Sequence, residues 1–145
     1  MDLTTGYPRS VRDKVLGIVQ LGRTIDKGKA LAHGNLGEYH YNCPMDKAVF
    51  EFLAIDHEQL LEVIRGTNSD AEIEAYVAPF IRKKSSHEIE TWNREWVSRK
   101  PQGESLEYFT QLRDKVAPGR TDVSTWTDLL DVEEGRKVPQ RENVA

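Results

Sequence analysis

Apolar side chains recur three and four residues apart along most of the chain, which is the spacing of one face of an α-helix. Several of these runs begin with a helix-start signal: Asp56 and Ser85 are capping residues, and Pro44 suits a first helical turn. Strand-like alternation is confined to residues 39–43, where a short extended segment would lack a partner strand. The pattern therefore predicts an all-α fold, an irregular bundle of about six to eight short helices in a single domain.

The N-terminal part of the chain is predicted to form a helix over residues 11–19. Its apolar residues fall on one face, and Ser10 stands at the position of an N-cap. Gly17 and Gly22 weaken this helix, because glycine loses much conformational freedom in a helix. A break there would leave a second helix that ends near Gly34.

Further helix starts are predicted at Ser69, at Ser105, and at either Asp122 or Ser124. Pro79 is expected to end or kink the helix that follows Ser69, because its ring clashes with the preceding turn.

Length and composition favour one helical domain over residues 1–135, followed by a flexible tail over residues 136–145 that has little apolar content. The hydrophobic fraction of 38% is enough for a folded core and excludes a wholly disordered chain. One cysteine and no leader-like or membrane-length apolar run predict a soluble cytoplasmic protein without a membrane partner. The net charge of −4 argues against a nucleic-acid partner.

Several motifs give the chain a family resemblance: TGYPRS, RTIDK, LGEYHYNCPMD, EIETWN and DVSTWTDLLDVEEGR. In this order they resemble a bacterial family catalogued as a domain of unknown function, number five-zero-six-nine. The resemblance extends over nearly the whole chain. It implies a bacterial source and one compact domain, and it carries no reaction, cofactor or catalytic residue.

The stretch LGEYHYNCPMD, residues 36–46, contains the first candidate site. Cys43 lies next to a predicted helix start, where the helix dipole favours a negatively charged sulfur. His40 is a candidate base for this thiol, and Glu38 or a tyrosine hydroxyl a candidate for orienting the histidine. The alternatives are a packed structural cysteine and a metal ligand. No metal site is predicted, because no ligand spacing typical of one occurs.

The second candidate site is a clamp for a small anion. Arg23 and Lys27 are four residues apart and would share one face of a helix, where together they could bind a carboxylate or phosphate. Tyr39 and Tyr41 would line this site. In the alternative interpretation, Arg23 pairs with a carboxylate such as Asp26 or Glu38, and Lys27 is solvated.

Trp92 is the third candidate, as a residue that lines a ligand pocket or an interface; packing in the core is the alternative. Taken together, the sequence favours a helical module that binds a small anionic molecule or a partner protein, with no cofactor. The alternative is a thiol-dependent enzyme or redox sensor that uses Cys43 with His40. Whether the protein is an enzyme, and its oligomeric state, are not determined by the sequence.

Overall fold

The computed structural model describes residues 1–67 and 69–141, and in these residues the fold is all-α, as predicted. Within them the backbone forms seven α-helices, and the one β-type pairing is an isolated bridge between Val15 and Ile18. The helices are α1 (Leu21–Ala32), α2 (Pro44–Leu53), α3 (His57–Arg65), α4 (Asp70–Arg82), α5 (Ser86–Val97), α6 (Ser105–Val116) and α7 (Trp126–Glu133).

The chain divides into two compact units, Met1–Asn93 and Arg94–Ala145. In the first unit α1 packs against α2 and α3, and α3 packs against α4. Their apolar faces form one buried core that also includes the segment before α1, and its larger members are Ile18, Leu21, Ile25, Phe50, Leu53, Ile55, Leu60, Ile64 and Ile73.

The predicted helix over residues 11–19 is wrong. Leu16 and Gly17 both have positive φ, 52° and 84°, and they form a two-residue turn between Val15 and Ile18. Val15 and Ile18 exchange backbone hydrogen bonds of 3.0 Å, as in a tight hairpin. The four periodic residues of this segment, Val11, Val15, Ile18 and Val19, are still buried, whereas Leu16 in the turn is exposed. The periodicity therefore indicated burial in the core and not a helix.

The second predicted N-terminal helix is confirmed as α1, with Gly34 shortly after its end. The starts of α2 at Pro44 and of α3 after Asp56 are confirmed, and Asp56 accepts hydrogen bonds from two amide groups of the first turn. Ser85 and Glu88 form the reciprocal capping pair before α5.

The other predicted boundaries hold less closely. Ser69 is the N-cap of α4, and Pro79 lies inside that helix without ending it. Ser105 is the first residue of α6 and not its cap. The cap of α7 is Thr125, which accepts a hydrogen bond from the amide of Asp128, so the last helix begins slightly later than predicted.

The second unit has its own small core, in which α6 packs against α7. Phe109, Val123 and Leu129 are its buried members, and Trp126 meets Phe109 edge-on with 5.1 Å between the ring centres. Arg141 binds Asp128 through two hydrogen bonds, of 2.7 and 3.2 Å.

The end of the predicted flexible tail, residues 142–145, lies outside the described residues. In the part of the chain that is described, no helix is long and apolar enough to span a bilayer.

Candidate functional site

The first turns of α1 carry polar side chains on a face that is fully inside the protein. Thr24 and Lys27 are three residues apart and lie on one side of the helix. Gln20, the residue before α1, joins them through a hydrogen bond of 3.3 Å from its side-chain amide to the hydroxyl of Thr24. All three are buried. Since buried polar groups cost free energy unless they are hydrogen-bonded, this face requires a polar partner from another element.

That partner is Asp46, at the third position of α2, which is completely buried. Its Oδ2 atom lies 2.8 Å from the ammonium nitrogen of Lys27, and its Oδ1 atom accepts a hydrogen bond of 2.6 Å from the hydroxyl of Thr24. The side-chain amide of Gln20 approaches Oδ1 at 3.4 Å. The carboxylate also lies near the positive end of the α2 dipole, so several groups compensate its buried charge.

Cys43 completes this group as the N-cap of α2. Its Sγ atom lies 3.2 Å from Nζ of Lys27 and 3.4 Å from Oδ2 of Asp46. The residue is only partly buried, whereas Lys27 and Asp46 are buried. We call these three residues the lysine–thiol–carboxylate cluster. It places an ammonium group in direct contact with the thiol of a partly exposed residue.

The structure does not place His40 and Glu38 in this cluster. Both side chains are exposed on the turns before α2, and among the described residues neither forms a hydrogen bond or ion pair. The basic group that contacts the thiol is therefore Lys27 and not His40.

Arg23 and Lys27, the predicted anion clamp, have separate partners. Arg23 is buried, donates a hydrogen bond of 3.2 Å to the backbone oxygen of Arg9, and lies 5.7 Å from the ring centre of Tyr39. Asp26 receives the guanidinium of Arg9 through two hydrogen bonds of 3.1 Å. Lys27 is not solvated, because its ammonium group is held by Asp46.

Tyr41 packs beside the cluster. Its hydroxyl donates a hydrogen bond of 2.8 Å to the backbone oxygen of His57, and its ring meets Phe50 edge-on. Burial, followed by the negative charge of Asp46, raises the pKa of the Tyr41 hydroxyl well above its usual range. Tyr41 therefore acts as a neutral hydrogen-bond donor.

Trp92 lies on α5 and stacks on Phe52, with 4.9 Å between ring centres and 13° between ring planes. It packs against the core of the first unit. No described contact joins it to Lys27 or Tyr41, so the predicted ligand-binding residues do not form a single site in the described contacts. In the described part of the chain, histidine, cysteine and carboxylate side chains do not form a group of three that could hold a metal ion.

Sequence reasoning missed Thr24 and Gln20 and did not assign a role to Asp46. A signal was present in α1: the polar residues Thr24 and Lys27 interleave with apolar residues. The fold buries this helix nearly all around, including Arg23 and Asp26. A helix buried on nearly all sides with a polar row requires an internal polar partner. Which carboxylate supplies it depends on the packing of α1 against α2.

The fold and this geometry define a small all-α protein in which a buried lysine–carboxylate pair contacts the thiol of a partly buried cysteine. The chain belongs to the family described as Domain of unknown function (DUF5069), whose model matches residues 5–136. A comparison with curated proteins finds no match.

Proposed function

We propose that the protein is a thiol-based redox sensor in which Cys43 is the reacting group and the ammonium group of Lys27 stabilises its negatively charged sulfur, in place of the base that the sequence suggested at His40. The observation that carries the proposal is the contact of 3.2 Å between Nζ of Lys27 and Sγ of Cys43. An ammonium group and the amide groups at a helix N-terminus both stabilise negative charge on a nearby atom. The negatively charged sulfur is the form that reacts with peroxides and electrophiles.

The burial of the three residues also supports this proposal. Lys27 and Asp46 are shielded from water, so their charges act on the sulfur more strongly than exposed charges would. Cys43 as a residue is only partly buried, and the proposal requires that a small oxidant reach its sulfur. The two charges act in opposite directions, because Asp46 disfavours a negatively charged sulfur and Lys27 favours it.

The test is the rate at which Cys43 reacts with hydrogen peroxide in the folded protein across neutral pH. We expect Lys27→Met to slow the reaction several-fold and Asp46→Asn to accelerate it, provided that circular dichroism shows both variants to be folded. His40→Ala is the matched control, since His40 lies in the same segment and is exposed; its rate should equal that of the unchanged protein. Equal rates in the unchanged protein and Lys27→Met would disprove the proposal, and a slow His40→Ala variant would return the role to His40.

Binding of a small anion by Arg23 and Lys27 has less support, because Asp46 already compensates the charge of Lys27.

Binding of a partner protein has one observation in its favour. Leu106 and Tyr108 on α6 leave 52% and 61% of their surface exposed, and exposed tyrosine is frequent at protein interfaces. The second candidate function is therefore a partner-binding module that uses α6. The test compares the sedimentation of the unchanged protein with that of Tyr108→Ser over a range of concentrations. Self-association that the substitution weakens would support this function. A monomer at all concentrations would rule out a second copy of the chain as the partner.

A further inference from the structure

The lysine and the thiol of the cluster are close enough to react with each other once the sulfur is oxidised. Lys27 and Cys43 are separated by 16 positions in the chain and come from different elements, α1 and the start of α2. Burial of the Lys27 side chain, which is 5% exposed, keeps its nitrogen beside the sulfur. The site is thus a pair of nucleophilic atoms, and not the thiol alone.

Resting on the redox role proposed above, we propose that oxidation joins Lys27 to Cys43 through one oxygen atom, in a covalent N–O–S bridge. A direct bond between nitrogen and sulfur, which like a disulfide would be about 2 Å or shorter, requires the two atoms to move much closer than they are. An interposed oxygen leaves nitrogen and sulfur nearer to their separation of 3.2 Å. The bridge therefore fits the packing of α1 against α2 with little movement.

The oxidant is hydrogen peroxide, and the reaction consumes two molecules of it. The first oxidises the thiol to a sulfenic acid and leaves as water. The second removes two further electrons together with two protons, one from the sulfenic hydroxyl and one from the neutral amine of Lys27, as the sulfenic oxygen bonds to the amine nitrogen, and it leaves as two molecules of water. Each bridge thus forms with three waters, and the protein gains one oxygen atom and loses two hydrogen atoms.

Asp46 has a defined part in this reaction. The ammonium group must lose one proton before its nitrogen can form a bond, and Oδ2 of Asp46 lies 2.8 Å from that nitrogen. The carboxylate accepts this proton, which stays on Asp46. The positive charge of Lys27 and the negative charge of Asp46 therefore disappear together, so that no unpaired buried charge remains.

The experiment is to treat the full chain with hydrogen peroxide and measure its intact mass and its tryptic peptides without reduction. We expect the mass to rise by one oxygen less two hydrogens, and to return to the starting value with dithiothreitol. Trypsin should no longer cleave after Lys27, so peptide 24–29 should be found linked to peptide 30–47. Oxidation of Met45 is distinguished from the bridge because it adds oxygen without removing hydrogen and without joining the peptides.

Two lysine variants provide the comparison. Lys27→Met should give sulfenic or sulfinic acid at Cys43 and no linked peptides. Lys47→Met is the matched control, since Lys47 is exposed and lies four residues beyond Cys43. This variant should still form the bridge. Because it lacks the cleavage site at position 47, its peptide that contains Cys43 extends to the next cleavage site. If Lys27→Met does not fold, the linked peptides of the unchanged protein and of Lys47→Met still decide the question.

The possible failures are distinguishable. If Cys43 is oxidised while trypsin still cleaves after Lys27, the bridge is disproved and the redox role stands. A product that has lost two hydrogens without gaining oxygen indicates a direct nitrogen–sulfur bond and also overturns the N–O–S bridge. If peroxide leaves Cys43 unchanged, both proposals are wrong.

Discussion

At the scale of single residues, the packing of α1 against α3 depends on Gly28. A β-carbon at this position would lie 2.7 Å from Cδ1 of Ile64 and 3.1 Å from Cε1 of Tyr41. Ile64 is buried and Tyr41 is held by its hydrogen bond to His57, so making room for a methyl group would disturb side chains that are packed or hydrogen-bonded. The absence of a side chain at Gly28 therefore allows the helices to approach and keeps Tyr41 beside the cluster.

We expect Gly28→Ala to lower the free energy of unfolding by about 1–3 kcal/mol, the usual cost of inserting a methyl group into a packed core. Gly66→Ala is the control: Gly66 has helical φ and ψ of −86° and −1°, and a β-carbon there would meet only atoms at ordinary contact distances. Alanine at this second position should be neutral or stabilise the protein by less than about 1 kcal/mol. Urea unfolding of both variants tests this, and a Gly28→Ala variant as stable as the unchanged protein would contradict it.

At the scale of elements, the hairpin that replaces the first predicted helix is held by α5. The side-chain amide of Asn93 donates a hydrogen bond of 2.8 Å to the backbone oxygen of Gly17, and its oxygen accepts one of 3.1 Å from the amide of Val19. Both partners belong to the segment that turns at Leu16 and Gly17. One side chain thus satisfies backbone groups that a helix would have paired internally.

We expect Asn93→Ala to lower the free energy of unfolding by about 1–3 kcal/mol, because the buried amide of Val19 loses its partner. Amide hydrogen exchange at Val19 should accelerate in the variant more than exchange in α3 does. Glu90→Ala, an exposed change on the same helix, should alter stability by less than about 0.5 kcal/mol. Unchanged exchange at Val19 would show that Asn93 does not hold the hairpin.

At the scale of the whole molecule, hydrogen-bonded carboxylates predict a loss of stability in acid. The pKa values of Asp2, Asp70, Glu88 and Asp122 are lowered, and in each case the main cause is a hydrogen bond from a neighbouring residue. For Asp122 that residue is Arg120, followed by the backbone amide of Arg141. Groups whose pKa is lower in the folded than in the unfolded protein contribute stability above the unfolded value, and this contribution is lost as the pH falls through the folded value.

We expect the urea midpoint of unfolding to fall as the pH is lowered from about 5 to about 2. This range begins above the ordinary aspartate pKa of about 3.9 and ends below it. Asp122→Asn should be less stable than the unchanged protein near pH 7 and should lose less on acidification, since it has one such group fewer. Glu104→Gln is the control, because the side chain of Glu104 is exposed and forms no hydrogen bond to the described residues. An acid response of Asp122→Asn identical to that of the unchanged protein would contradict the assignment.

The sequence by itself determined what depends on neighbouring residues. The helix starts at Pro44, after Asp56 and after Ser85 could be read from capping signals, because a cap and its first turn lie within four residues of each other. The all-α class follows from the same local periodicity, and the family follows from motifs that extend along nearly the whole chain. These features require no knowledge of which helices meet.

Only the tertiary structure decided which distant residues meet. Periodicity predicted a helix over residues 11–19, where positive φ at Leu16 and Gly17 and the hydrogen bonds from Asn93 favour a hairpin. Periodicity likewise could not identify the basic group beside Cys43. His40 is near Cys43 in sequence, but the packing of α1 against α2 brings Lys27 to the thiol. Contacts across many residues arise from the burial of whole helix faces, and a local pattern shows that a face is buried without showing what covers it.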